Sequence, residues 1–127
     1  MHFVDNNEEL VGNINTLDKF KKAINFCNNL RQQPDFFIMS GDLVNDNQNY
    51  YKKFIDLTNQ LKKPYYLMMG NHDNRDRLKQ IIQNKDLIDE FGYINFSINK
   101  YPIKVIAIDT AVESVAYGNI ASETLKW

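Results

Sequence analysis

Three small groups of side chains in this 127-residue chain have the types and settings that bind and activate ligands: Gly41-Asp42, Gly70-Asn71-His72-Asp73, and His2 near the start. The first two each follow an apolar run, Phe36-Phe37-Ile38-Met39 and Tyr65-Tyr66-Leu67-Met68-Met69. Together they offer a hard carboxylate oxygen, an amide oxygen, an imidazole and a second carboxylate. That set suits borderline divalent ions such as manganese, iron or zinc, and a carboxylate can bridge two of them. Glycine ahead of each group lets the backbone turn sharply and lets a substrate approach closely. Taken singly, a Gly-Asp after a strand is commonly a turn with a helix cap, and a His near a terminus is commonly solvated. The argument therefore rests on their combination. The chain holds two histidines, His2 and His72, and one cysteine, Cys27, which caps the imidazole and thiolate ligands it can supply.

The elements that must position these groups follow from periodicity. Leu17, Phe20, Ile24, Cys27 and Leu30 recur at helical spacing, so a helix is expected over about residues 16–31, capped by Asn15 or Thr16 and stopped before Pro34. Cys27 lies on its apolar face and reads as a buried, inert thiol. The run at 36–39 reads as a short strand buried on both faces. A second helix turns Tyr51, Phe54, Ile55, Thr58 and Leu61 inward, a second strand begins after Pro64, and a third helix is expected over residues 74–83. A short helix is expected over residues 87–91. Ile94, Phe96 and Ile98 alternate with Asn95, Ser97 and Asn99, as in a half-exposed strand, and residues 103–108 give another strand ending at Asp109-Thr110. Asn95-Phe96-Ser97 matches a glycosylation triplet but reads as ordinary strand. Helix, strand, helix, strand is the order of parallel βαβ units, so both glycine turns should leave the same sheet edge and face one crevice.

Composition narrows the field further. The chain is 43% hydrophobic and 24% charged, with 15 basic against 16 acidic side chains and a formal net charge of -1. Its basic residues are dispersed as pairs such as Lys21-Lys22 and Lys62-Lys63, so a nucleic-acid partner is not expected. No apolar run reaches the length of a membrane helix and no stretch reads as a secretory signal. No membrane partner is expected, and the location reads as cytoplasmic.

At the glycine turns the sequence resembles the calcineurin-like metallophosphoesterase family, whose pattern runs D-x-H, G-D, G-N-H-D or G-N-H-E, a lone His, and G-H-x-H. Gly41-Asp42 matches the second block and Gly70-Asn71-His72-Asp73 the third. Within the family it is most similar to the class III cyclic-nucleotide phosphodiesterases, through the stretch from His2 past Leu10-Val11-Gly12 to Ile24, Pro34-Asp35, and Ile108-Asp109-Thr110 through Gly118 to Leu125-Lys126-Trp127. His2 resembles the histidine of D-x-H without its aspartate, and the last two blocks do not occur. The resemblance implies one partial α/β domain over residues 1–127: the first half of a calcineurin-like αββα sandwich, lacking its first strand.

It also implies a cofactor of two divalent metal ions, iron or manganese first, with zinc or magnesium as alternatives. His2 and Asp42 would bind the first ion, Asp42 would bridge to the second, and Asn71 would bind the second. His72 would face the substrate and protonate the leaving oxygen after attack by hydroxide, with Asp73 orienting its imidazole. His2, Asp42, Asn71 and His72 would together contact the substrate, a small phosphodiester such as a cyclic nucleotide. With His72 assigned to chemistry, the motifs leave three metal ligands, one of them shared, where two open sites ask for about three each. Asp5, Asp46 or Asp109 could add oxygens, but they also read as loop solvation, a helix cap and a strand-end turn. Two alternatives follow: a non-catalytic remnant or half-domain that needs a partner chain, and the same fold acting on a nucleotide-sugar or another phosphoester.

Overall fold

The computed structural model describes residues 1–5, 11–45, 47 and 49–127. Helices α1 (Thr16–Asn28), α2 (Tyr50–Thr58) and α3 (Arg75–Ile81) alternate with strands β1 (Phe37–Met39) and β2 (Tyr65–Leu67), and β3 (Phe96–Ile98) and β4 (Val105–Ala107) follow. β1 and β2 are parallel, with Phe37 opposite Tyr65, Ile38 opposite Tyr66 and Met39 opposite Leu67. β3 and β4 form an antiparallel pair. Beside the end of β1, Phe3 and Val44 form a parallel bridge, with His2 N–H donating to Asp42 O at 2.7 Å. This brings His2 next to the first glycine turn.

α1 and α3 start where side-chain caps are available. Asn15 accepts from the Asp18 N–H at 2.8 Å, and Asn74 caps α3 through Arg77 N–H at 3.0 Å, each satisfying a donor the helix cannot. α1 ends at Asn28, earlier than periodicity suggests, because the Gln33 side chain donates to the carbonyls of Cys27, Asn28 and Leu30. Its inner face packs Phe20 flat against Phe54 of α2 at 5.2 Å between centroids, and both meet Phe3 edge-on. Cys27, expected inside, is only partly buried.

Four expectations are corrected. The helix over residues 87–91 is instead a single 3₁₀ turn, Lys85–Leu87. Beyond it the Asp89 carboxylate accepts from Phe91 and Tyr93 N–H at 3.0 and 2.8 Å, and Gly92 takes a φ of 87°, so the backbone closes a tight turn in place of a helix. β1 is not buried on both faces: Ile38 is 40% exposed. The strand over residues 103–108 is shorter, and Ile103 lies exposed ahead of it. Asn95, expected to face water, is 1% exposed. Its amide donates to Asp89 Oδ2 at 2.6 Å and Thr124 Oγ1 at 3.2 Å and accepts from Asp109 N–H at 2.7 Å. A buried amide keeps its place by satisfying donors and acceptors on three segments. The triplet around it is therefore ordinary folded chain. No helix among the described residues is long and apolar enough to cross a membrane.

Candidate metal centre

The two glycine turns leave β1 and β2 side by side and touch through their backbones. A Cβ placed on Gly41 would stand 2.6 Å from Gly70 N and 2.7 Å from the Met69 carbonyl carbon, and one on Gly70 would run into the backbone N and Oδ1 of Asp42. Sequence reading assigned the glycines to sharp turning and substrate approach; what they permit here is the contact of one turn with the other. Gly41 also has a φ of 99°, a conformation that any Cβ would strain.

Across this contact the candidate ligands converge. Asp42 Oδ1 accepts from His72 N–H at 3.3 Å, Asp42 Oδ2 lies 3.5 Å from His2 Nε2, and the two imidazoles meet edge to face at 4.5 Å. One donor atom each from His2, Asp42 and His72 falls within 4.8 Å of the others. Asn71 stands next to His72 on the wall of a cleft of about 440 Å³, with Val44, Asp73, Asn74, Glu113 and Ser114. All four expected contact residues are thus gathered at one edge.

Two features fit this cluster to a divalent ion. The Nδ1 of His2 is buried with no hydrogen-bond partner among the described residues. A buried polar atom left unpaired costs about 1–3 kcal/mol, and the other ring nitrogen, Nε2, faces the Asp42 carboxylate, so the ring sits where a cation could use it. The non-glycine residues with positive φ among those described are His2 (51°), Asp42 (47°) and Ser114 (63°), and all three border the site. Strain concentrated on candidate ligands is what a preorganised centre requires.

Asp73 fastens the arrangement. It is 3% exposed. Its Oδ1 accepts from Leu43 N–H at 3.0 Å, Val44 N–H at 3.3 Å and the Tyr51 hydroxyl at 2.9 Å, while Oδ2 accepts from Gly70 N–H at 3.0 Å. Burial pushes its carboxyl above the usual carboxylate range, and these donors pull it back. Sequence reading gave Asp73 the orientation of the His72 ring. In the structure its oxygens are spent on backbone amides of both turns, so it sets the backbone from which His2, Asp42 and His72 meet.

The reserve carboxylates behave otherwise. Asp109 is a partner of Arg75, whose Nε and Nη2 donate to it at 2.9 and 3.1 Å, and Ile94 N–H donates to it at 3.2 Å. Its side chain is fully buried there, with both oxygens engaged by Arg75. Asp5 pairs with Lys53 at 3.7 Å. Asp46 and Leu10 lie outside the described residues.

Sequence reading missed Tyr51, Arg75 and Glu113. Arg75 also donates from Nη2 to Ala111 O at 2.6 Å, and its own N–H donates to Glu113 Oε1 at 2.9 Å. The Asp109 carboxylate holds its guanidinium above the ordinary range. This clamp folds the 109–114 segment over the second turn, where Ser114 N–H donates to Asn71 O at 2.8 Å. One signal was available: a cation in the first turn of a helix opposes the helix dipole and so calls for an acidic partner. For Tyr51 there was none, since an inward tyrosine on an amphipathic helix is ordinary.

Comparison with known proteins bears directly on this site. The sequence model of a family described as calcineurin-like phosphoesterase matches residues 1–124. A probable glycerophosphodiester phosphodiesterase of Arcobacter nitrofigilis is 34% identical over 111 residues, covering 84% of this chain and 41% of the relative. A probable cyclic nucleotide phosphodiesterase of Xenorhabdus bovienii is 28% identical, over 98% of this chain and 51% of its own length. A 3',5'-cyclic-nucleotide phosphodiesterase of Nostoc is 23% identical over the whole of this chain and 46% of its own. The chain spans about half the length of these curated relatives.

Proposed function

This chain belongs to the calcineurin-like phosphoesterase family, as a partial α/β domain of it, and from that premise we propose that it carries half of a metal-dependent phosphodiesterase site for small phosphodiesters, cyclic nucleotides first. The observation that carries the reading is the convergence of His2, Asp42 and His72 donors within 4.8 Å where two glycine-bearing turns touch. The relatives' names support the phosphodiester class, and they divide between cyclic nucleotides and glycerophosphodiesters.

In this reading His2 and Asp42 would hold a first divalent ion, and Asp42 and Asn71 a second, with iron or manganese suited to the mixed oxygen and nitrogen donors. Such ions supply neutralisation of charge on the phosphoryl oxygens and a lowered pKa for the attacking water. The chain's own residues do the rest. His72, a member of the donor cluster that also lines the cleft, would donate a proton to the departing ester oxygen. Asp73, through Leu43, Val44 and Gly70, keeps that imidazole at its distance from Asp42.

The test is hydrolysis of a cyclic nucleotide and of an activated aryl phosphodiester by the purified protein with Mn²⁺. Turnover is expected in the wild type, and His72→Ala is expected to lower it about 10²-fold or more, the usual contribution of a positioned acid, with Mn²⁺ affinity nearly unchanged. No metal-dependent turnover would sink the enzymatic reading. Loss of Mn²⁺ binding in His72→Ala would make His72 a ligand instead of the acid.

A second reading, a half-domain completed by a partner chain, is favoured by one observation. On the outer face of β4 and beyond it, Ile106 is 56%, Ile108 40% and Leu125 74% exposed, and an apolar sheet face of this kind invites association. Size-exclusion chromatography separates the two readings. Metal-dependent turnover by a cooperatively melting monomer rules the half-domain out, and an inactive, self-associating chain supports it.

A further inference from the structure

We propose that Tyr51, which lies outside every metallophosphoesterase block, is a positioning residue for the metal-ligand turns. The inference rests on the metal-centre reading above. Tyr51 is 2% exposed, on the inward face of α2. Its hydroxyl donates to Asp73 Oδ1 at 2.9 Å and accepts from Asn74 N–H at 3.0 Å. Asp73 in turn receives Leu43 and Val44 from the first turn and Gly70 from the second. One hydroxyl therefore ties α2 to the carboxylate that joins the turns, and to the backbone two residues past His72.

The hydroxyl does two things that phenylalanine cannot. It supplies a donor to a buried carboxylate that also accepts from amides of both turns, so the oxygen shared with Leu43 and Val44 is held in place from α2. It also satisfies Asn74 N–H, which fixes where the His72-Asp73 peptide leaves the turn and enters α3. Burial beside Asp73 holds the Tyr51 phenol above its ordinary range. Without it the ring still fills the core, but the two turns are freer to part, and the Asp42 to His2 and His72 distances with them.

Groups that only support metal ligands typically cost 10–100-fold in metal affinity when removed. Tyr51→Phe is accordingly expected to weaken Mn²⁺ binding about tenfold or more, read by isothermal titration. Ile24→Val, buried on α1, a helix that carries none of the candidate ligands, is the control. It should lower the melting temperature of the metal-free protein while leaving Mn²⁺ affinity within about twofold, because a general loss of packing does not move the turns. Wild-type affinity in Tyr51→Phe would overturn the inference alone. A wild-type protein that binds no Mn²⁺ would overturn the metal-centre reading and this inference with it. If Tyr51→Phe fails to fold, amide hydrogen exchange on the wild type decides. The N–H groups of Leu43, Val44, Gly70 and Asn74 should gain protection together on Mn²⁺ addition, and unchanged exchange at these four would overturn the proposal.

Discussion

Gly70→Ala is expected to destabilise the protein by roughly 3 kcal/mol or more and to abolish Mn²⁺ binding, although it adds a single methyl group. The added Cβ has nowhere to go: its neighbours would be the backbone N, Cα and Oδ1 of Asp42. Overpacking that flexible side chains can relieve costs about 1–3 kcal/mol, and here backbone must move on a turn that also carries a candidate ligand. Moving it breaks the hydrogen bonds from Gly70, Leu43 and Val44 to Asp73 and leaves a buried carboxylate short of donors. Gly12→Ala is the contrast, since its Cβ would enter open space and its φ of 63° is the one obstacle, worth about 1 kcal/mol. Thermal melting of both variants checks the ranking. A Gly70→Ala protein that melts within a degree or two of wild type would mean that the turns do not touch.

That contact also marks how far the site was legible from sequence. Donor types and the glycines before them are local properties, so Asp42, Asn71 and His72 stood out, and strand order placed their turns at one edge. What was not legible is how the turns are joined. The Asp73 carboxylate was visible as a motif residue, but apart from Gly70 its partners are 22 to 30 residues away, on α2 and the first turn. The Arg75–Asp109 pair spans 34 residues. Pattern along the chain carries no signal for contacts of that separation unless a local conflict betrays them, as the misplaced charge of Arg75 on its helix does.

The same division holds for the fold. α1, α2 and α3 were readable because their apolar residues recur with helical spacing, and the caps of α1 and α3 are neighbouring side chains. Residues 87–91 have the apolar spacing of a helix, yet Asp89 binds the N–H groups two and four residues ahead and Gly92 takes a left-handed φ, so the turn wins. Asn95 follows the alternation of an exposed strand position, and three hydrogen bonds reverse it. In each case a polar side chain bonded to backbone or to a distant segment outweighed the hydrophobic pattern. Such bonds are worth about 1 kcal/mol each, comparable to the propensities they override.

Asp42→Asn should produce the largest loss of function with the smallest loss of fold. Asparagine keeps the size of the side chain and tolerates the left-handed backbone that Asp42 adopts at φ 47°. Its Oδ1 can still accept from His72 N–H, so the metal-free protein should melt near the wild-type temperature. What disappears is the negative charge 3.5 Å from His2 Nε2, the one anionic donor of the cluster and the one proposed to bridge two ions. Mn²⁺ affinity should fall about 10²-fold or more, beyond the loss usual for groups that merely support ligands, and metal-dependent turnover about 10³-fold or more, since charge neutralisation and water activation both depend on the ions. Thermal melting with and without Mn²⁺ gives a readout that needs no turnover. A ligand at a hundred times its Kd stabilises the fold by about 2.7 kcal/mol, so wild type should melt higher with Mn²⁺ and Asp42→Asn should not. An Asp42→Asn protein that retains the Mn²⁺-induced rise would place the ion elsewhere and remove Asp42 from the centre of the site.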